Sequence, residues 1–70
     1  MTYDVDVPFS SSSETARQLG WLKNNGLKYG TNGDWTVHIR DNPVCWVYHF
    51  VSATSAYKFQ VFLSESNDNN

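Results

Sequence analysis

The sequence predicts an α+β domain in which one helix packs on a four-stranded, mostly antiparallel sheet, in the order β-α-β-β-β. Three observations carry this expectation. Four stretches show strand spacing, with apolar residues alternating or running continuously over six to eight positions. One stretch between the first two of them is bracketed by helix start and stop signals. The apolar run "VCWVYHFV", residues 44–51, pairs in a consistent register with the segments on both sides of it.

The first element, "TYDVDVPF", sets Tyr3, Val5, Val7 and Phe9 on one face and Asp4 and Asp6 on the other. It is a half-buried strand closed by Pro8. The helix follows in "SSSSETARQLGWLKNNG". Ser11 with Glu14 three residues later forms a capping box, which satisfies orphan N–H groups at a helix start. Asn25-Gly26 supplies the stop, with Leu27 folding back as the apolar contact. At helical spacing Ala16, Leu19 and Leu22 share the inward face, with Thr15 and Lys23 at its margins. Trp21 falls on the far side, beside Arg17 and Asn25.

"LKYGTNGD" is rich in turn residues: Asn32-Gly33 marks a tight turn, and Leu27 to Tyr29 reads as a short extra strand. "DWTVHIR" alternates again, with Trp35, Val37 and Ile39 against Thr36, His38 and Arg40. "DNP" breaks it before the apolar run, and "SATS" breaks the chain once more. "YKFQVFL" then sets Tyr57, Phe59, Val61 and Leu63 against Lys58, Gln60 and Phe62, a fourth strand. Residues 1–63 form one domain, and "SESNDNN", residues 64–70, is read as a disordered polar tail.

Register follows by arithmetic. If Ile39 pairs with Val44, then Val37 meets Trp46 and Trp35 meets Tyr48. If Val51 pairs with Ala56, then Tyr48 meets Phe59 and Trp46 meets Val61. Both hairpins send Val44, Trp46, Tyr48 and Phe50 to the helix side, which makes their strand central. The first strand then sits beside the second or the fourth. The opposite face carries Cys45, Val47, His49 and Val51, neighboured by His38, Thr36, Lys58, Gln60 and Phe62. Nothing else in the chain can cover it, so it presents water with an apolar stripe of Cys45, Val47, Val51 and Phe62.

Composition excludes several function classes. The chain has 70 residues and a net charge of −2, with five Lys+Arg against seven Asp+Glu. That gives no basic patch for phosphate backbones and no carboxylate array that mimics one. A single cysteine rules out an internal disulfide, so the aromatic share of 16% is the compensation for small size. No stretch reaches the ~20 apolar residues of a membrane span, and "MTYDVDVPF" lacks a signal-peptide pattern. The expected compartment is the cytoplasm.

Chemistry-bearing constellations are few. Cys45 and His38 fall opposite each other in the expected register, the start of a nucleophile and base, but no third member or oxyanion hole accompanies them. His38 and His49 fall about 14 Å apart along the strands, too far for one metal ion. Asp4 and Asp6 read as solvated edge carboxylates. The glycines form no phosphate-binding loop, and no cofactor pattern is present.

The reading that remains is a small non-enzymatic protein-binding module, an inhibitor or adaptor that occupies a surface of a larger protein. In size and composition it is like the small stand-alone proteins of phages and mobile elements that block host systems. The expected contact residues are Trp21, Val47, His49, Val51 and Phe62, with Trp21 the anchor because tryptophan is enriched among binding hot spots. Two alternatives stand beside it: a single-stranded nucleic-acid-binding domain with an aromatic sheet, and a small enzyme using Cys45 and His38. A homodimer is a further occupant for the uncovered face.

Overall fold

The computed structural model describes residues 2–67. The chain runs β1 (Tyr3–Pro8), α1 (Ser12–Asn24), β2 (Trp35–Arg40), β3 (Cys45–Phe50) and α2 (Ala53–Asn67). The strands form one antiparallel sheet in the order β1-β3-β2. The expected four-stranded sheet with a single helix is thus corrected to three strands and two helices, in the order β-α-β-β-α.

The physical reason lies in the last segment. Ser52 caps a helix where the sequence predicts a turn between strands: its Oγ accepts from the N–H of Ser55 at 3.4 Å, and its carbonyl from the N–H of Ala56 at 3.1 Å. Ala56 and Phe59 are buried and Phe62 and Leu63 half-buried, while Lys58, Gln60 and Val61 face out. That spacing is helical. A strand would put Tyr57 and Phe59 on one side, yet Phe59 is fully buried and Tyr57 is 67% exposed. The helix continues through Asn67, so residues 64–67 of the expected tail are helical; residues 68–70 lie outside the described residues.

β3 is central, as its two oily faces require, and β1 lies directly against it. This corrects the expectation that the first strand neighbours the second or the fourth; with "YKFQVFL" helical, the second edge of β3 is open to β1. Val5 pairs with Tyr48 and Val7 with Trp46. On the other side Trp35 pairs with Phe50, Val37 with Tyr48 and Ile39 with Trp46, two residues from the expected register. Pro43 has no N–H to donate and Asn42 takes a φ of +62°, so residues 41–44 form the loop and the ladder begins at Cys45. A shift of two preserves every face while changing every partner.

α1 begins as its sequence dictates, with the N–H of Glu14 donating to Ser11 Oγ at 3.1 Å. It ends in a Schellman motif: Gly26 at φ +72° donates to the Lys23 carbonyl and Leu27 to that of Leu22. Its inward face is not the expected Ala16–Leu19–Leu22. Gln18 and Leu22 are buried, Trp21 is half-buried, and Ala16 and Leu19 are exposed. The helix is turned so that Gln18 Oε1 accepts from the Tyr48 hydroxyl at 2.8 Å and Trp21 packs against α2. Between α1 and β2, Gly33 donates to the Gly30 carbonyl in the expected turn, and the expected extra strand reduces to one bridge between Tyr29 and Trp35.

The core is Val5, Val7, Leu22, Trp35, Tyr48, Phe50, Ala56 and Phe59. Its sheet residues all come from one face, the face both helices cover. Phe59 sits at its centre, with ring centroids 4.7 Å from Tyr48, 5.3 Å from Phe50 and 5.5 Å from Trp21. Among the described residues no helix is long and apolar enough to cross a membrane.

Candidate functional site

The face of the sheet away from the helices carries three rows of side chains across β1, β3 and β2. They are Asp4–His49–Thr36, Asp6–Val47–His38 and Pro8–Cys45–Arg40. Strand alternation alone sets this composition, because β1 contributes its acids and β2 its basic residues to the same side. The charged groups join hands over the apolar ones. Asp4 Oδ1 lies 2.7 Å from His49 Nδ1, and His49 Nε2 lies 2.7 Å from His38 Nδ1. Arg40 donates to Asp6 Oδ2 at 2.9 Å, with its Nη2 3.9 Å from the Cys45 sulfur. Val47, flanked by Asp6 and His38, is left only 3% exposed, and Cys45 is buried.

These contacts set the local electrostatics. The hydrogen bond from His49 holds the Asp4 carboxyl below its ordinary value, against a smaller opposing effect of desolvation. Asp6 raises the Arg40 guanidinium in the same way. Asp4 and Asp6 therefore act separately, each with its own basic partner across the sheet.

Two expectations about this face are corrected by the register. Cys45 lies opposite Arg40 and His38 opposite Val47, so the Cys45–His38 pair does not form. The same shift moves His38 and His49 from four residues out of step to two, a diagonal pair whose rings touch.

The five expected contact residues are dispersed. Trp21 stacks on Phe62 between the two helices, with centroids 5.2 Å apart, and the Arg17 guanidinium lies 4.4 Å above the Phe62 ring. Phe62 thus belongs to the helical layer, and the expected stripe of Cys45, Val47, Val51 and Phe62 is not a continuous surface. Val47 lies under the polar layer and His49 within it. Val51 is 57% exposed at the end of β3, beside a shallow hollow of about 180 Å³ that also involves Thr2, Gly30, Thr36 and His49. A wider hollow of about 460 Å³ lies where β1 meets the helices. Of the polar residues lining it, Asp6, Glu14 and Gln18 are engaged by Arg40, Arg17 and Tyr48.

A second surface lies at the far end of the sheet on the helix side. The register continues one step beyond β1, where the N–H of Phe9 donates to the Val44 carbonyl. Phe9, Val44, Trp46 and Ile39 therefore follow one another across the strands on one face, with Trp46 half-buried against the core and the other three exposed around it. Ile39 is 57% exposed, Val44 47% and Phe9 45%, and Trp46 Nε1 is buried without a hydrogen-bond partner. Alternation in the sequence already places these four on one side. Where the helices stop covering that side is a tertiary fact, and no local signal carries it.

No family model matches the chain, and neither the curated proteins nor the solved structures include a significant match to it.

Proposed function

We propose that this chain is a small non-enzymatic protein-binding module, an inhibitor or adaptor that docks on a larger protein. The observation supporting this reading is the apolar end of the sheet, where Phe9, Ile39 and Val44 are exposed around a half-buried Trp46. Contiguous exposed apolar surface on a small domain costs solubility unless something covers it, and such patches mark interaction sites. Asp41 and Asn42, exposed in the loop between Ile39 and Val44, add polar groups at the edge of the patch, as at the rim of a protein interface. The earlier anchor, Trp21, is replaced in this role because its ring is committed to α2.

The test is capture of partners from the producing cell by wild-type protein and by a variant carrying Ile39→Lys and Val44→Lys. Both positions are exposed, so circular dichroism of the variant should match the wild type. The expected result is a partner retained by the wild type and lost, by at least ~10-fold in affinity, from the variant. A partner bound equally by both would sink the proposed surface, as would an absence of any partner. Light scattering separates one further outcome. A stable homodimer that the substitutions dissociate would assign the patch to a second copy and overturn the larger-partner reading.

A further inference from the structure

We propose that His38 and His49 form a binding site for a divalent transition-metal ion on the uncovered face of the sheet, with Asp4 as its positioning residue. This goes beyond the protein-binding reading and uses a different face, so either can fail without the other.

The geometry begins with the two rings. Their centroids are 4.8 Å apart and their planes differ by 20°, while His38 Nδ1 and His49 Nε2 are separated by 2.7 Å. Rings in true face-to-face stacking do not bring two nitrogens together at that distance with centroids so far apart. The imidazoles meet edge to edge, nearly coplanar, with one nitrogen of each aimed at the same point. A single proton can hold that contact, and only if one nitrogen donates and the other offers its lone pair.

Asp4 decides which way the lone pair of His49 points. A carboxylate accepts and cannot donate, so the 2.7 Å contact places the proton of His49 on Nδ1. Nε2 is then the lone-pair nitrogen, directed at His38. A carboxylate holding the far N–H of an imidazole is the arrangement that orients metal-bound histidines and raises their basicity. When His38 carries its own proton on Nε2, both facing nitrogens are free to bind metal.

A metal ion needs slightly more room than a proton. At ~2.0–2.1 Å from each nitrogen in tetrahedral geometry, the nitrogens stand about 3.3 Å apart. The contact must therefore open by roughly 0.6 Å, and each ring must swing so that lone pairs now facing each other head-on converge on the ion at the tetrahedral angle, a rearrangement open to side chains on a solvent-facing sheet. The strands hold the two residues diagonally across an antiparallel ladder, so the backbone need not move. Among the described residues no third His, Cys, Asp or Glu joins them as a ligand. The remaining coordination positions thus fall to water or to a ligand from outside. Imidazole nitrogen suits copper, zinc and nickel, whereas magnesium and calcium prefer oxygen.

The test is calorimetric titration of the untagged full chain with zinc chloride, repeated with magnesium chloride. The expected result is saturable binding of one zinc ion and no binding of magnesium. His38→Gln and His49→Gln, both on the surface layer, should each weaken zinc by at least ~10-fold while the circular dichroism spectrum is kept. Asp4→Asn should weaken it ~10–100-fold. It should also move the ¹⁵N signals of His49 away from the Nδ1–H tautomer, a change that general structural damage would not produce. No saturable zinc binding, or binding indifferent to both histidine variants, overturns the site. So does binding that Cys45→Ala removes and the histidine variants leave, since that places the metal on the thiol. An unchanged zinc affinity in Asp4→Asn overturns the role given to Asp4.

Discussion

Tyr48 answers two demands with one side chain: its ring packs between Trp35 and Phe59, and its hydroxyl donates to Gln18. Burial, helped by the nearby Glu14 carboxylate, pushes its pKa from 10.0 to about 12. The folded state therefore keeps a proton that the unfolded chain releases between pH 10 and 12, so stability falls as pH rises through that window. The loss reaches ~2–3 kcal/mol at the top of it. Denaturant titrations at pH 8 and pH 11.5 should show this fall in the wild type and a smaller one in Tyr48→Phe. The variant should also lose ~1–3 kcal/mol at pH 8, because Gln18 keeps a buried acceptor with no donor. A pH slope unchanged by the substitution would place the titration elsewhere. Tyr48 as a core residue is legible in the sequence, from the apolar run around it. Gln18 is not, because an amide in a helix reads as solvent-facing until a buried hydroxyl is known to need it.

At the scale of elements, the two helices show why one was legible and the other was not. α1 announces itself through Ser11, Glu14 and Gly26, each acting locally on backbone groups at a helix end. α2 has the same apolar content at two periods at once: Tyr57, Phe59, Val61 and Leu63 alternate, while Ala56, Phe59 and Leu63 recur helically. Local pattern cannot choose between them. The choice is made by the core, which needs Phe59 inside and tolerates Tyr57 outside, with Ser52 supplying the cap. The connection after α1 depends on glycine in two distinct ways. Gly26 needs its positive φ, and a methyl there meets nothing within 4 Å, so Gly26→Ala should cost only ~1–2 kcal/mol. At Gly33 a Cβ would stand 2.5 Å from the Lys28 carbonyl oxygen, part of the backbone that ties this loop to Asp34. Gly33→Ala should therefore be the more damaging of the two in thermal melts. Equal melting temperatures would show that the loop can shift without loss.

Across the whole molecule, stability and solvent-facing chemistry are divided between the two sides of one sheet. Strand parity in β1, β2 and β3 makes this division legible although the sequence predicts a fourth strand that does not form, because a register shift of two residues leaves each side chain on its own face. The His38–His49 contact is not legible for the same reason, since parity fixes sides and not partners. The helix side holds nearly all of the core, and its keystone is Phe59, in ring contact with Trp21, Tyr48, Phe50 and Phe62. Removing a buried phenyl ring costs ~3–5 kcal/mol. A chain of 70 residues has about 3.5–10 kcal/mol in total at ~0.05–0.15 per residue. Phe59→Ala should therefore leave a chain partly or wholly unfolded at 25 °C, with its near-ultraviolet circular dichroism collapsed. Val47 is as well hidden from water, but its cover is a hydrogen-bonded polar layer rather than a packed element. Val47→Ala should cost only ~1–2 kcal/mol and keep the near-ultraviolet spectrum, since the layer above it can settle into the space. If the two variants unfold at the same denaturant concentration, the open face holds the fold as firmly as the helix side. The division of labour proposed for the two faces would then be wrong.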